Sequence, residues 1–229
     1  MIQQRIAVAL YAPPGGGKGT QANLLADKLG LIHFDTGRFL ESVVHDPKRQ
    51  KEAVIRRERK NFDTGRLVTP SFTLREVKKE VKMLAAAGWG VVFSGSPRTM
   101  YEAEGLIPLL EKLYGRKKMF FIQLDVDSKH SMERNSARLL CKICHAPLLT
   151  KYYPSKNPKH CPVCGGPFYR RTLDNPKVIV VRLKEYAERT KPIFAYLKKL
   201  KYPIMKVDGR PEPYKVFENV LRHLKPALK

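Results

Sequence analysis

Long apolar runs are missing from this 229-residue chain. No stretch of about 18 apolar residues occurs, which excludes a membrane-crossing helix. The stretch from Met1 to Leu10 lacks the zoned layout of a secretory signal and runs directly into a strand-like pattern, so a cytoplasmic location is expected. Acid is scarce: 21 Asp and Glu face 44 Lys and Arg, a formal net charge of +23. Such an excess favours anionic partners, whether nucleotides, nucleic acid or phosphate-rich surfaces, but is equally met in a solvated basic surface, and by itself selects no function. Cysteine is scarce as well. Cys141, Cys144, Cys161 and Cys164 are the only four, all in one short stretch, and in a reducing compartment such paired C-x-x-C motifs favour metal over disulfides.

What is present is a 43% hydrophobic chain, enough for one sizeable core, with or without small inserted lobes. Short apolar runs at 5–10, 31–34, 90–93, 119–124 and 202–207 read as strands. Helical spacing fills 19–29, 71–87, 99–114, 178–200 and 213–224. Strands alternating with helices predict a parallel sheet covered on both faces. Two regions interrupt the alternation. Residues 38–67 are highly charged, predicted helical, and read as an inserted lobe; residues 141–169 are rich in Pro, Gly, Lys and Cys and read as a small metal-held lobe.

After the first strand comes Ala12-Pro13-Pro14-Gly15-Gly16-Gly17-Lys18-Gly19-Thr20. Glycines let backbone N–H groups approach phosphate oxygens, and the following helix points its positive end at the same anion. Lys18 adds a full charge near a transferred group, and Thr20 can reach a bound Mg²⁺. Ala12 stands where the general motif has its first glycine. A left-handed backbone there would cost about 1 kcal/mol, and a tolerated change is expected.

The segment Ala12 to Ala22 (APPGGGKGTQA) resembles the adenylate kinase family, whose loop reads G-x-P-G-x-G-K-G-T-Q-A. Further matches follow in order: Asp35-Thr36-Gly37, Gly65-Arg66-Leu67-Val68, Ser94-Gly95-Ser96-Pro97-Arg98-Thr99, then Arg134, Arg138, Arg171, Asp174 and Arg182, and finally Val207-Asp208-Gly209. The resemblance implies a P-loop α/β core with a five-stranded parallel sheet and two mobile lobes. It places the core at 1–35, 69–138 and 172–229, a lobe for the acceptor nucleotide at 36–68, and a zinc-binding lid at 139–171. It implies the reaction ATP + NMP ⇌ ADP + NDP with Mg²⁺, in a monomer, with ATP and a nucleoside monophosphate as partners. Nucleic acid is a conceivable further partner that the resemblance does not imply. Lys18, Arg98, Arg134, Arg138, Arg171 and Arg182 become the catalytic cations, since joining two phosphate chains is mainly positioning and charge neutralisation. Gly15, Gly16, Gly17, Lys18, Gly19, Thr20, Arg134, Arg138 and Gly209 would hold ATP. Thr36, Arg38, Arg66, Val68, Gly95, Arg98, Glu102, Arg171 and Arg182 would hold the acceptor. The Ser96–Pro97 bond is expected to be cis, in a tight turn at the acceptor site.

The cysteine spacing, C-x2-C-x16-C-x2-C, supplies four soft ligands for a closed tetrahedral Zn²⁺, with iron or a disulfide pair as the alternatives. Metal would replace the core that so small a lobe cannot bury.

Three departures from the family pattern fall on the acceptor side. Glu41 occupies the position of an arginine that binds acceptor phosphate, with Arg38 at the neighbouring acidic position. Glu102 replaces the glutamine that reads adenine; an ionised carboxylate only accepts hydrogen bonds and suits a base edge with two donors, as guanine has. Ser94 replaces an aspartate near hydrated Mg²⁺, with Asp35 as a possible substitute. GMP is therefore an alternative acceptor to AMP, and a further alternative is a nucleotide-binding protein with degenerate catalysis that binds RNA.

Overall fold

The computed structural model describes residues 4–148 and 158–225. Residues 149–157 of the expected lid, and the chain ends at 1–3 and 226–229, lie outside the described residues. The first strand, β1 (Ala7–Tyr11), is buried along its whole length. It sits in the middle of a parallel sheet with β2 (Leu31–Phe34), β3 (Gly90–Phe93), β4 (Met119–Asp125) and β8 (Ile204–Asp208), in the order β2-β3-β1-β4-β8. The register aligns Ala7 with Val91 on one side and Met119 on the other.

Alternation along β1 builds two apolar layers. Ala7, Ala9 and Tyr11 face one core with Phe93, Leu106, Ile107 and Leu197; Val8 and Leu10 face the other with Leu25, Ile122, Val220 and Leu224. Helices α4 (Pro70–Ala86), α5 (Met100–Tyr114) and α8 (Pro192–Lys199) cover the first face; α1 (Lys18–Leu29) and α9 (Pro213–Leu224) cover the second. Each fully buried Leu or Ile contributes about 1.5–3 kcal/mol. Helix α1 stops at Gly30, whose left-handed backbone (φ 63°) lets its N–H reach the Ala26 carbonyl.

The strand expected at 202–207 begins instead at Ile204, because Pro203 has no N–H for the ladder. The helical stretch expected at 178–200 is broken into α7 (Pro176–Glu185), a π turn at Tyr186–Thr190, and α8. Pro192 cannot donate, and the wider turn lets Lys191 N–H reach the Tyr186 carbonyl. The turn also frees the Thr190 hydroxyl to donate to the Arg98 carbonyl at 2.8 Å, tying this segment to the loop after β3.

The charged region at 38–67 is helical, as α2 (Thr36–Val44) and α3 (Ala53–Asp63) with a 3₁₀ turn at Pro47–Arg49. A small core of Leu40, Ile55, Val68 and Phe72 holds it. Glu58 has no exposure, yet its carboxylate accepts from the Thr69 N–H (2.8 Å) and Thr69 hydroxyl (2.6 Å), pinning α3 to the start of α4. After α6 (Ser128–Ala137), β5 (Leu139–Cys141) pairs antiparallel with β6 (Pro147–Leu148) and β7 (Phe168–Tyr169).

Candidate active site

Parallel strands release their connecting loops at one edge, and the order β3-β1-β4 puts the chain's change of direction beside β1. That switch point is where open α/β sheets bind ligands. The loop from Ala12 to Thr20 leaves β1 there and forms the floor of a cleft of about 940 Å³. Every residue named above for ATP, the acceptor or catalysis lines this cleft, from Gly15 to Thr20, through Thr36, Arg38, Arg66, Val68, Gly95, Arg98 and Glu102, to Arg134, Arg138, Arg171, Arg182 and Gly209.

The loop's geometry suits an anion. Gly17 caps α1 with a left-handed backbone (φ 88°) and no side-chain cap, leaving the first N–H groups of the helix for a ligand. Gly15 also has a positive φ (73°), and a Cβ there would meet Asn135 Nδ2 at 2.5 Å. Asn135 in turn donates to the Ser131 carbonyl, and the Ser131 hydroxyl donates to the Pro14 carbonyl, so α6 buttresses the loop. Ala12 is 2% exposed and does not adopt a left-handed backbone, so the departure at this position carries no strain. The Lys18 ammonium donates to the Ala12 carbonyl at 2.7 Å and the Pro13 carbonyl at 2.9 Å.

Cations crowd over this floor. Burial, then repulsion from Arg98, Arg182 and Arg138, holds Lys18 well below the usual lysine value, with Asp35 a partial offset. Arg182 is brought down to about 9 by burial first and then by Arg98, Arg138 and Arg171, against the pull of Asp174. Arg98 is likewise lowered, mainly by burial. Buried like charges this close are costly unless an anion compensates them. Asp174 supplies part: its carboxylate takes a bidentate pair from Arg138 (2.9 and 2.5 Å) and lies 3.7 Å from Arg182. Arg134 instead donates to the carbonyls of Gly209 (2.7 Å) and Arg210 (2.8 Å), fixing the loop after β8.

In the loop after β3, the Ser96–Pro97 bond is cis. Glu102 differs from its sequence-based expectation. Its carboxylate accepts from the Arg98 N–H at 2.9 Å and the Thr99 hydroxyl at 3.1 Å, while its own N–H donates to Thr99 Oγ1 at 3.2 Å. This is a reciprocal cap on α5, with Thr99 and Glu102 three residues apart. Glu102 is 3% exposed and burial raises its carboxyl above the usual value. A carboxylate held in a helix cap is not free to read guanine, which corrects the reason for naming GMP. Among the described residues, the buried hydroxyls without a partner are those of Thr36, Tyr11 and Ser96, and all three residues line the cleft.

Sequence reasoning missed two contacts. Glu41 accepts a hydrogen bond from Arg171 Nη2 at 2.8 Å, joining α2 to the segment after β7. His33 pairs with Asn23 Oδ1 at 2.5 Å through Nδ1 and with Ser94 Oγ at 2.8 Å through Nε2. Taking Asn23 Oδ1 as acceptor, Nδ1 carries the proton and Nε2 accepts from Ser94. Chiefly through burial, His33 sits below its usual value, consistent with a neutral ring. Neither contact has a local sequence signature, because Glu41 and Arg171 are 130 residues apart and His33 and Ser94 meet only through the β2–β3 pairing.

Two metals can be tested against the donor atoms. Thr20, Asp35 and Ser94 all line the cleft and offer hydroxyl and carboxylate oxygens, the hard donors Mg²⁺ takes together with waters and phosphate. The four cysteine sulfurs lie within 4.8 Å of one another, with Cys141–Cys164 at 3.4 Å and Cys144–Cys161 at 3.7 Å. Tetrahedral zinc with bonds of about 2.3 Å sets its sulfurs about 3.8 Å apart, so the cluster is compatible with zinc.

Comparison with known proteins agrees with this geometry. The family model for adenylate kinase matches residues 10–202. An adenylate kinase of Methanothrix thermoacetophila is 34% identical over 95% of this chain and 97% of its own. Those of Chlamydia pneumoniae and Clostridium tetani are 32% and 30% identical, each over 93% of this chain and over 94% and 95% of their own. With a phosphate loop at the switch point, cations converging on it and this agreement along nearly the full length, the chain belongs to the adenylate kinase family.

Proposed function

We propose that the chain catalyses reversible phosphoryl transfer from ATP to a nucleoside monophosphate, with AMP as the acceptor. The convergence of Lys18, Arg98, Arg138, Arg171 and Arg182 on one cleft carries this reading. These groups repel one another until phosphates fill the space between them. Two phosphate chains laid end to end supply that negative charge, and arginine forks suit their oxygens.

In this reading the donor phosphates lie on Gly15 to Thr20, and Lys18 and Arg138 neutralise charge on the group in flight. Arg98, Arg171 and Arg182 hold the acceptor phosphate in line, so the transfer needs no covalent enzyme intermediate. Mg²⁺ bound with ATP would supply positive charge against the charge that develops on the phosphates. Thr20 would reach it directly, and Asp35 fills the role of the aspartate absent at position 94. Thr36 Oγ1, buried without a partner, reads the acceptor base, and Val68 packs against it. Arg38 and Arg66 stand at the open rim. Segments 36–68 and 139–171 close over the nucleotides and exclude water, against a frame formed by 1–35, 69–138 and 172–229. A structural Zn²⁺ on Cys141, Cys144, Cys161 and Cys164 stiffens the second of these.

The test is turnover with ATP and Mg²⁺ against AMP, GMP, CMP, UMP and dTMP. A strong preference for AMP is expected. A preference for GMP would return Glu102 to a base-reading role, and no turnover of any acceptor would overturn the reading.

A further inference from the structure

The cleft does not account for the charge at the other end of the sheet. All strands of the main sheet run parallel, so they all begin at the edge opposite the phosphate loop. Given the register of Ala7 with Val91 and Met119, and of Phe121 with Ile204, the residues that lead into four adjacent strands stand side by side. In order across the edge they are Trp89, Arg5, Lys117 with Lys118, and Lys201. At about 4.8 Å per strand, the row is about 14 Å long. Lys198 and Lys199, at the end of α8, extend it. All these side chains are exposed, and among the described residues none of the six cations is in an ion pair. Glu111, the acid beside the row, is already engaged: it accepts from the Tyr202 hydroxyl at 2.6 Å and lies 3.5 Å from Arg116.

Two features show more than a solvated surface. Trp89 is the chain's single tryptophan, and it is 39% exposed, at the register position opposite Arg5. An apolar ring left in water next to cations is what a stacking platform needs. Lys201 has a positive φ (58°) in the turn that ends α8, where its N–H donates to the Lys198 carbonyl. Glycine would take that conformation freely, whereas a residue with a Cβ costs about 1 kcal/mol, and such strain collects at functional positions.

We propose that this edge is a binding surface for single-stranded nucleic acid, separate from the nucleotide cleft. Backbone phosphates lie along Arg5, Lys117, Lys118 and Lys201, and an unpaired base stacks on Trp89. A duplex keeps its bases inside and offers nothing to the ring, and an acidic protein matches the lysines but lacks the stacking partner.

Because Trp89 is the only tryptophan, its fluorescence reports the site directly. The full chain is titrated with a 12-nucleotide oligo(U), the matching oligo(dT), a duplex RNA of equal length, and polyglutamate, each with and without saturating ATP. Oligo(U) is expected to quench Trp89 and to bind equally well with ATP present. Oligo(dT) separates RNA from DNA: equal binding marks a backbone-and-base reader, and weaker binding marks a contact to the 2′-hydroxyl. With about four phosphates neutralised, raising salt from 50 to 200 mM should weaken binding about 50-fold. Trp89→Ala should weaken it about tenfold, read by anisotropy of a labelled oligonucleotide. Lys117→Glu with Lys118→Glu should weaken it further. Lys201→Gly relieves the strained turn, so it should fold well while losing affinity. Kinase turnover should stay within about twofold of wild type in all three. No quenching at 50 mM salt, displacement by ATP, unchanged affinity in the lysine variants, or equal binding of duplex or polyglutamate would each overturn the proposal.

Discussion

Replacing Glu41 by glutamine should make the acceptor bind more tightly. Glu41 Oε2 takes a hydrogen bond from Arg171 Nη2 at 2.8 Å, with the two side chains 42% and 17% exposed. Arg171 is one of the groups proposed to hold the acceptor phosphate, so the carboxylate competes with that phosphate for the guanidinium. An ion pair with one well-exposed partner is worth up to about 1 kcal/mol. Acceptor binding must first release it, and apparent affinity falls with the fraction of protein that is competent. At 1.4 kcal/mol per tenfold, removing the pair should lower the acceptor KM about fivefold. The KM for ATP should not move, because Glu41 lies in the lobe proposed to hold the acceptor, and kcat should stay within about twofold. The assay is initial rate against acceptor at saturating ATP, for wild type, Glu41→Gln and Glu41→Arg. The arginine variant puts a cation beside the proposed acceptor site and should lower KM at least as far. An acceptor KM that is unchanged or raised in Glu41→Gln would refute the competition.

Arg98 is buried among the acceptor-side cations, and Arg98→Ala should cost at least about 100-fold in turnover, the scale for removing a charge-stabilising donor; a loss of only a few-fold would reject its role. Glu58→Gln should lower stability by about 2 kcal/mol at neutral pH, or roughly 4–8 °C in Tm, by weakening the contacts to Thr69. Burial raises the Glu58 carboxyl, but hydrogen bonds from Thr69, Arg57 and Asn61 outweigh it and set the folded value below the ordinary one. Its stabilisation is therefore present above the unfolded pKa and lost as pH falls through the folded value. Melting curves between pH 7 and 3 should show the wild-type advantage shrinking toward acid, and a growing advantage would contradict this sign. Elemental analysis should find one zinc per chain, and stripping it with a chelator should reduce turnover while leaving the main sheet's spectrum intact; iron, or no metal, would reject the zinc assignment.

Much of this was legible because local patterns carry it. Loop glycines, apolar runs and cysteine knuckles are each written in adjacent residues, so β2 and β3 fall on 31–34 and 90–93 as expected. The break between α7 and α8 was hidden because a π turn keeps helical spacing almost intact. Glu102 was misread for a different reason. A substitution judged alone looks like a change in base recognition, yet with Thr99 three residues earlier it forms a T-x-x-E cap in which the carboxylate takes the Arg98 N–H and the Thr99 hydroxyl, and that pair was visible in the sequence. The Glu41–Arg171 and His33–Ser94 contacts depend on lobe placement and strand pairing, which no local signal encodes.

The grip of Lys18 on its own loop makes proton count decisive. An ammonium has three N–H bonds, and the carbonyls of Ala12 and Pro13 take two, leaving one to reach an oxygen of the nucleotide. A neutral amine has only two, both already spent, and would turn a lone pair toward the incoming phosphate. Since burial and the neighbouring arginines lower this lysine's proton affinity and a phosphate chain would raise it, loading a nucleotide should draw a proton from solution wherever the lysine has shed one. The heat of loading then carries the ionisation enthalpy of whatever buffer supplies that proton.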